Sequence, residues 1–217
     1  MHAILIQELA VHGLASLGSF EPGPGDHFPE TARSILLAGN VGSSLWPYFA
    51  ASAEFADGKP DPLNRWSARV LEEIAQSHGI GVVFPFEGPP FHPFQQWALR
   101  AGTVSRSPLG VLAHKTYGLW FAYRGAFLLP EAIEHQAEQT GGPCESCVEK
   151  PCLDACPAAA LTRAQSYDVA ASRSHVAGAG AQTCGAQGCL VRHACPWGQD
   201  HAYAPEQAAF HMAAFIA

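Results

Sequence analysis

All seven cysteines of the chain lie between Cys144 and Cys195, in two groups that each end in Cys-Pro. The first group reads Cys144-x2-Cys147-x4-Cys152-x3-Cys156-Pro157, and the second reads Cys184-x4-Cys189-x5-Cys195-Pro196. A thiolate is a soft ligand, and each iron of an iron–sulfur cluster takes tetrahedral sulfur coordination. Thiolates grouped at this spacing, with a proline ending each loop, point to iron–sulfur ligation and so to the movement of single electrons.

A cubane needs four thiolates, and one short run cannot wrap a cluster with all of its own. In bacterial two-cluster ferredoxins the first three cysteines of a run hold one cluster, while the fourth, before proline, reaches the other. That logic assigns Cys144, Cys147, Cys152 and Cys195 to a first 4Fe-4S cluster. Cys156, Cys184 and Cys189 remain for a second cluster, which lacks a fourth cysteine. Three outcomes stay open: an oxygen or nitrogen ligand from Ser172, Ser174 or His175; a three-iron or labile cluster; or one cluster on the first set alone. Backbone amides around Gly185 and Gly188 are candidate donors to the sulfurs. Compared with the ferredoxin run, the first group has two extra residues before Cys152. The second group is stretched at both gaps, which lengthens loops and leaves the ligand order intact.

Zinc is the rival metal, because Cys144-x2-Cys147 with Cys152-x3-Cys156 could close one tetrahedron and staple a binding module. Zinc ribbons separate their pairs by more residues, and the Cys-Pro ends have no role there. Disulfides suit the pattern less, since an odd number of cysteines cannot pair fully.

Before the cysteines, the best candidate pocket is the loop Glu87–Phe94 with Arg124. Glu87 could serve as an acid, His92 as a proton donor and Arg124 as an anion anchor. The competing explanation is packing, with Pro89, Pro90, Phe91 and Phe94 covering a core edge. No Gly-x-Gly-x-x-Gly, Gly-x-Ser-x-Gly or His-Glu-x-x-His is present, so nucleotide-loop, serine-hydrolase and zinc-protease signatures are missing.

The elements that must position these residues are legible in part. Residues 1–20 look helical, the amphipathic helix at the start ending near Gly13, and residues 21–30 read as a loop. Ser34–Ala38 reads as a buried strand, and Gly42–Phe55 as helical or irregular. Leu63–His78 is an amphipathic helix with Trp66, Val70 and Ile74 on one face and Gly79 as its stop. Ile80–Phe86, Leu109–His114 and Leu119–Leu129 read as strands; Gln95–Ala101, Glu131–Gln139 and Pro205–Ile216 as helices. Thr140-Gly-Gly-Pro143 marks a boundary, dividing an α/β domain over 1–140 from a cysteine module of helices and loops over 141–217. The predicted class is α+β, in an α/β layered arrangement.

Of 217 residues, 48% are hydrophobic and 14% charged, which allows a buried core. A net charge of −7 with no basic run argues against a nucleic-acid partner and suits docking with a basic redox protein. No stretch approaches the roughly 18 apolar residues of a membrane span. The first residues lack Lys and Arg and make a poor signal peptide. A cytoplasmic protein is therefore expected, with its thiols kept reduced.

The string CESCVEKPCLDACPAAAL, followed after a gap by CGAQGCLVRHACPWG, resembles the twin-cluster ferredoxin segment of the epoxyqueuosine reductases and the related cobalamin-dependent reductive dehalogenases. Cys-Pro-x-x-Ala-Leu at 156–161 and Cys-Pro-Trp at 195–197 carry the match, and Tyr117–Ala126 resembles the strand and loop before that segment. The resemblance implies a nitroreductase-like or cobalamin-reductase-like N-terminal domain beside a ferredoxin-type module. It implies one or two 4Fe-4S clusters, a bound cobalamin or flavin, a redox partner protein and a small-molecule substrate. In that family a cysteine soon after the first Cys-Pro completes the second cluster; here Ser172 or Ser174 stands in the corresponding stretch. The family's catalytic acid has no assignable counterpart, its region reading Phe86-Glu87-Gly88-Pro89. Two activities are thus implied: electron transfer alone, or a small reductase in which clusters feed a corrin or flavin.

Overall fold

A computed structural model describes residues 1–26, 28–134 and 141–217. In chain order its main elements are α1 (His2–Val11), β1 (Ala15–Phe20), β2 (Ser34–Val41), α2 (Trp46–Ala50), α3 (Ala53–Ala56), α4 (Pro62–His78), β3 (Gly81–Val83), α5 (Phe94–Arg100), β4 (Val104–Arg106), β5 (Leu112–His114), β6 (Phe121–Leu129), α6 (Pro143–Ser146), α7 (Val169–Ala177), α8 (Leu190–His193) and α9 (Pro205–Ile216). They form two compact units, one of Met1–Thr103 with Phe121–Gln139, the other of Val104–Trp120 with Thr140–Ala217.

The first unit is built on a sheet of order β1-β2-β6-β3, with every neighbouring pair antiparallel. β2 has Ile35, Leu36, Leu37 and Ala38 fully buried, so both faces of the sheet are covered at its centre. Such a strand reads as a continuous apolar run, which is how Ser-Ile-Leu-Leu-Ala appears in the sequence. α4 starts at Pro62, whose ring suits the first helical position, and ends before Gly79 at φ 64°. Its Leu63, Trp66, Val70, Leu71 and Ile74 recur at helical spacing and are buried. Trp66 meets Phe49 edge-on at 5.9 Å between ring centres.

Three expectations change here. The first twenty residues are not one helix: α1 stops at Val11, Gly13 turns the chain at φ 68°, and Ala15–Phe20 pairs with β2. β3 is only Gly81–Val83, because the chain turns at Phe84, whose amide donates to Glu87 at 3.0 Å. Residues 131–134 are not helical; the Ile133 amide donates to Ser34 at 3.0 Å. The rest of the helix predicted over Glu131–Gln139 lies outside the described residues.

The second unit opens with a hairpin of β4 and β5, in register Val104↔His114, Ser105↔Ala113 and Arg106↔Leu112. α6 packs on both hairpin strands, α7 on α9, and α8 on the turn Pro151–Leu153. Sequence patterning ran the first domain unbroken to residue 140, whereas Val104–Trp120 belongs with the cysteine segment. The physical reason is local: the hairpin supplies Ala113 and Leu119, which bury against Cys195. The molecule as a whole is α+β. Among the described residues no helix is long and apolar enough to cross a membrane.

Candidate metal centre

Cys144 lies on α6 and Cys147 directly follows it, Cys152 sits in the turn Pro151–Leu153, and Cys195 comes just after α8. Cys195 forms a small buried group with Ala113 and Leu119, against which Leu109 and Cys144 pack. Burial pushes the Cys144 thiol up to about 11, and the charges of Cys195, Cys152 and Cys147 push the same way. Cys152 is raised by burial and then by Cys195 and Cys147. Cys195 is raised by burial and by Cys147, while the Trp197 amide opposes the rise. Cys144 thus packs on Cys195, and Cys147 and Cys152 lie near enough to act on them through charge.

Distant backbone contacts bring Cys195 there. Gly118 and Gly198 have φ of 56° and 72° and lie backbone against backbone. A Cβ on Gly118 would overlap the Trp197 carbonyl, and one on Gly198 would overlap Tyr117. Arg192 donates to the Leu119 carbonyl, and its guanidinium lies 4.6 Å from the ring centres of both Trp120 and Tyr203. Gln199 donates to the carbonyls of Cys195 and His193.

Cys156, Cys184 and Cys189 line a cavity of about 240 Å³ within the second unit, and Cys152 borders it through Leu161 and Val191, against which Cys156 and Cys189 also pack. Cys184 is on a single π-helical turn, Ala181–Gly185, and Cys189 immediately precedes α8. Burial raises the Cys189 thiol and Cys184 adds to it, while the Arg192 and Val191 amides oppose. Tyr167 is raised by burial, with Cys189 and Cys156 adding to the effect. Asp168 caps α7 by accepting from the Ala171 amide at 2.9 Å, and the helix it starts points Ser172, His175 and Val176 at the cavity. That is the i, i+3, i+4 face.

The three candidate fourth ligands differ sharply. Ser172 accepts a hydrogen bond from the Tyr167 hydroxyl at 2.9 Å. Ser174 is exposed and does not line the cavity. His175 lines it, and its Nε2 is buried with no hydrogen-bond partner among the described residues. Its ring lies on Gly180, where a Cβ would overlap Nε2 and Cδ2.

The Gly185 and Gly188 amides, expected to serve sulfur, are instead bonded to the Gly180 and Cys184 carbonyls at 2.9 and 3.1 Å. Amides that act on the thiols belong to Cys152, Leu153, Val191, Arg192 and Trp197. Sequence reasoning also missed Tyr167 and the α9 face of His211, Met212 and Phe215, which closes the cavity. Met212 and Phe215, three apart on α9, were the legible part of that face. Among the described residues no group of three His, Cys, Asp or Glu could hold a single metal ion.

In the first unit Glu87 and His92 do come together, Nε2 to Oε2, at 3.9 Å. His92 also leans on Trp97, 5.4 Å between ring centres. Arg124 serves α4: it donates to Ser67 at 2.9 Å, Asn64 at 2.8 Å and the Leu63 carbonyl at 3.3 Å. Its guanidinium lies 5.8 Å from the Phe86 ring centre.

No protein-family model and no curated protein matches the chain. Among solved structures it is similar to the B12-trafficking protein CblC of C. elegans, a human MMACHC homologue, with 13% identity and a TM-score of 0.55. The match covers 97% of this chain and 90% of that one. The two folds are related. The chain is also similar to epoxyqueuosine reductase from Streptococcus thermophilus, at 16% identity and a TM-score of 0.49, covering 95% of this chain and 70% of that one. The second likeness is too loose to argue from, and at 13% identity the first speaks for fold alone.

Proposed function

We propose that the chain is an iron–sulfur electron-transfer protein, with one cubane on Cys144, Cys147, Cys152 and Cys195 and a second on the set Cys156, Cys184 and Cys189. The observation that carries this reading is the partition of the thiols. Cys195 joins Cys144 across the intervening chain, and Cys156 shares a cavity with Cys184 and Cys189, with Cys152 at the border between the two sets. Two crossed sets suit two clusters, whereas a zinc ribbon would draw on adjacent pairs.

The residues fit the group. The Cys144, Cys152 and Cys195 thiols are pushed up by burial and by the charge of neighbouring cysteines, a conflict that bound cationic iron would relieve by ionising them. A single zinc ion would need donors converging at about 2.3 Å, and no three among the described residues converge to hold one ion. A cubane interposes its own iron and sulfide atoms and so accepts a wider cage.

Clusters held there supply one-electron transfer. The chain's part is to exclude water and set the charge environment. Ala113, Leu119, Leu161 and Val191 wall the thiols with apolar surface. The Trp197, Val191 and Arg192 amides place positive dipole ends near sulfur, which favours added negative charge. The net charge of −7 suits a basic redox protein as partner.

The fold likeness to a B12-trafficking protein favours a second reading, in which the first unit binds a cobalamin or flavin and the protein is a small reductase. Glu87, His92 and Arg124 are the candidate contacts, the first two as an acid pair.

Paired substitutions test the main reading. Cys195→Ala should remove the electron paramagnetic resonance signal of the first cluster, and Cys156→Ala that of the second. Loss of the same signal from both variants would defeat the crossed assignment. Titration with hydroxocobalamin or FMN, followed by visible absorption, tests the second reading; no spectral shift at saturating ligand would end it.

A further inference from the structure

We infer that His175 is the fourth ligand of the second thiolate set, giving a cluster held by three cysteines and one imidazole. This rests on the iron–sulfur reading proposed above and goes beyond it by naming the ligand. Cys156, Cys184 and Cys189 share one cavity of about 240 Å³, and His175 stands on the same wall. Its Nε2 is buried without a hydrogen-bond partner among the described residues. A buried ring nitrogen left without a partner is destabilising, so such groups have partners in folded proteins. An iron atom is a partner that a neutral imidazole nitrogen satisfies directly.

The rival donors are already engaged or misplaced. Ser172 takes the Tyr167 hydroxyl at 2.9 Å, and Ser174 is exposed away from the cavity. His211, also on the wall, lies 3.4 Å from Gln207. The seat of the His175 ring is shaped for it, because only a glycine at position 180 leaves room for Nε2 and Cδ2. The Gly180 amide donates back to the His175 carbonyl at 2.8 Å, and Gly185 closes the π turn on Gly180 at 2.9 Å. The same short loop thus carries Cys184 and braces His175.

Replacing one thiolate by a neutral imidazole removes a negative charge from the cluster, which raises its potential. The second cluster should therefore be the easier of the two to reduce.

The test uses the full chain, purified anaerobically, with its histidines labelled with ¹⁵N. Pulsed electron paramagnetic resonance on the reduced sample should show a directly bonded ¹⁵N coupling on one of two clusters. His175→Ala should lose one iron per chain and show a three-iron signal on oxidation. His175→Cys should recover the full iron content with no nitrogen coupling and a lower potential. Ser172→Ala should keep the coupling. Two complete clusters without nitrogen coupling would overturn the inference and leave the proposed function standing. A single cluster on the first set would overturn the inference together with the second cluster of the proposed function, and leave electron transfer through the first. A chain that binds no iron would overturn the proposed function itself. The labelling measurement needs no variant, so it stands even if His175→Ala fails to fold.

Discussion

The guanidinium of Arg192 lies 4.6 Å from the centre of the Trp120 ring and donates to the carbonyl of the residue before it, Leu119. Arg192 follows Cys189 by one turn of chain, and Leu119 packs on Cys195. One side chain therefore ties the hairpin end to the segment between two thiolate sets. Arg192→Met should lower the stability of the metal-free chain by about 2–3 kcal/mol, from the lost charged hydrogen bond and cation–π contact. Arg192→Lys should recover little, since lysine lacks the planar fork. Urea unfolding of the three proteins reads this, and equal midpoints would contradict it.

Gly118 and Gly198 are the second tie. Alanine at either position costs about 1–2 kcal/mol from the left-handed backbone alone, and the Cβ overlaps add to it. The specific expectation is chemical: displacing the 196–198 segment moves Cys195, so Gly198→Ala should lose the first cluster while retaining the second. Equal loss of both clusters would point to general unfolding.

His114 gives a pH dependence. It is buried, its Nδ1 accepts from the Thr116 and Tyr117 amides at 3.0 and 3.3 Å, and burial, then Lys115 and His201, lowers it from 6.5 to about 4. The folded chain holds the ring neutral where the unfolded chain protonates it. The stability it contributes is present above pH 6.5 and is lost as pH falls toward about 4. His114→Gln should flatten that part of the stability profile of the metal-free chain; an unchanged slope between those values would count against it.

How much of this was legible follows element by element. α4 and β2 were readable because burial imposes a period of 3.6 on the one and a continuous apolar run on the other. β4 was invisible, since three residues, Val-Ser-Arg, carry too little pattern to identify a strand. The misreading of residues 15–20 has the same root: six residues with Gly18 among them look like the end of a helix until β2 pairs with them. The cysteines announced their chemistry through spacing. The walls around them did not, because Leu109, Ala113 and Phe215 come from distant segments that only tertiary packing assembles. The unpartnered state of His175 is likewise a property of three dimensions, although its type and place beside Ser172 marked it as a candidate.

The most direct measurement is iron and acid-labile sulfide per chain on anaerobically purified, unmodified protein, with a visible spectrum of the same sample. The account predicts about eight of each, with broad thiolate-to-iron absorption. Colourless protein without iron or sulfide, above all with zinc in its place, would contradict it.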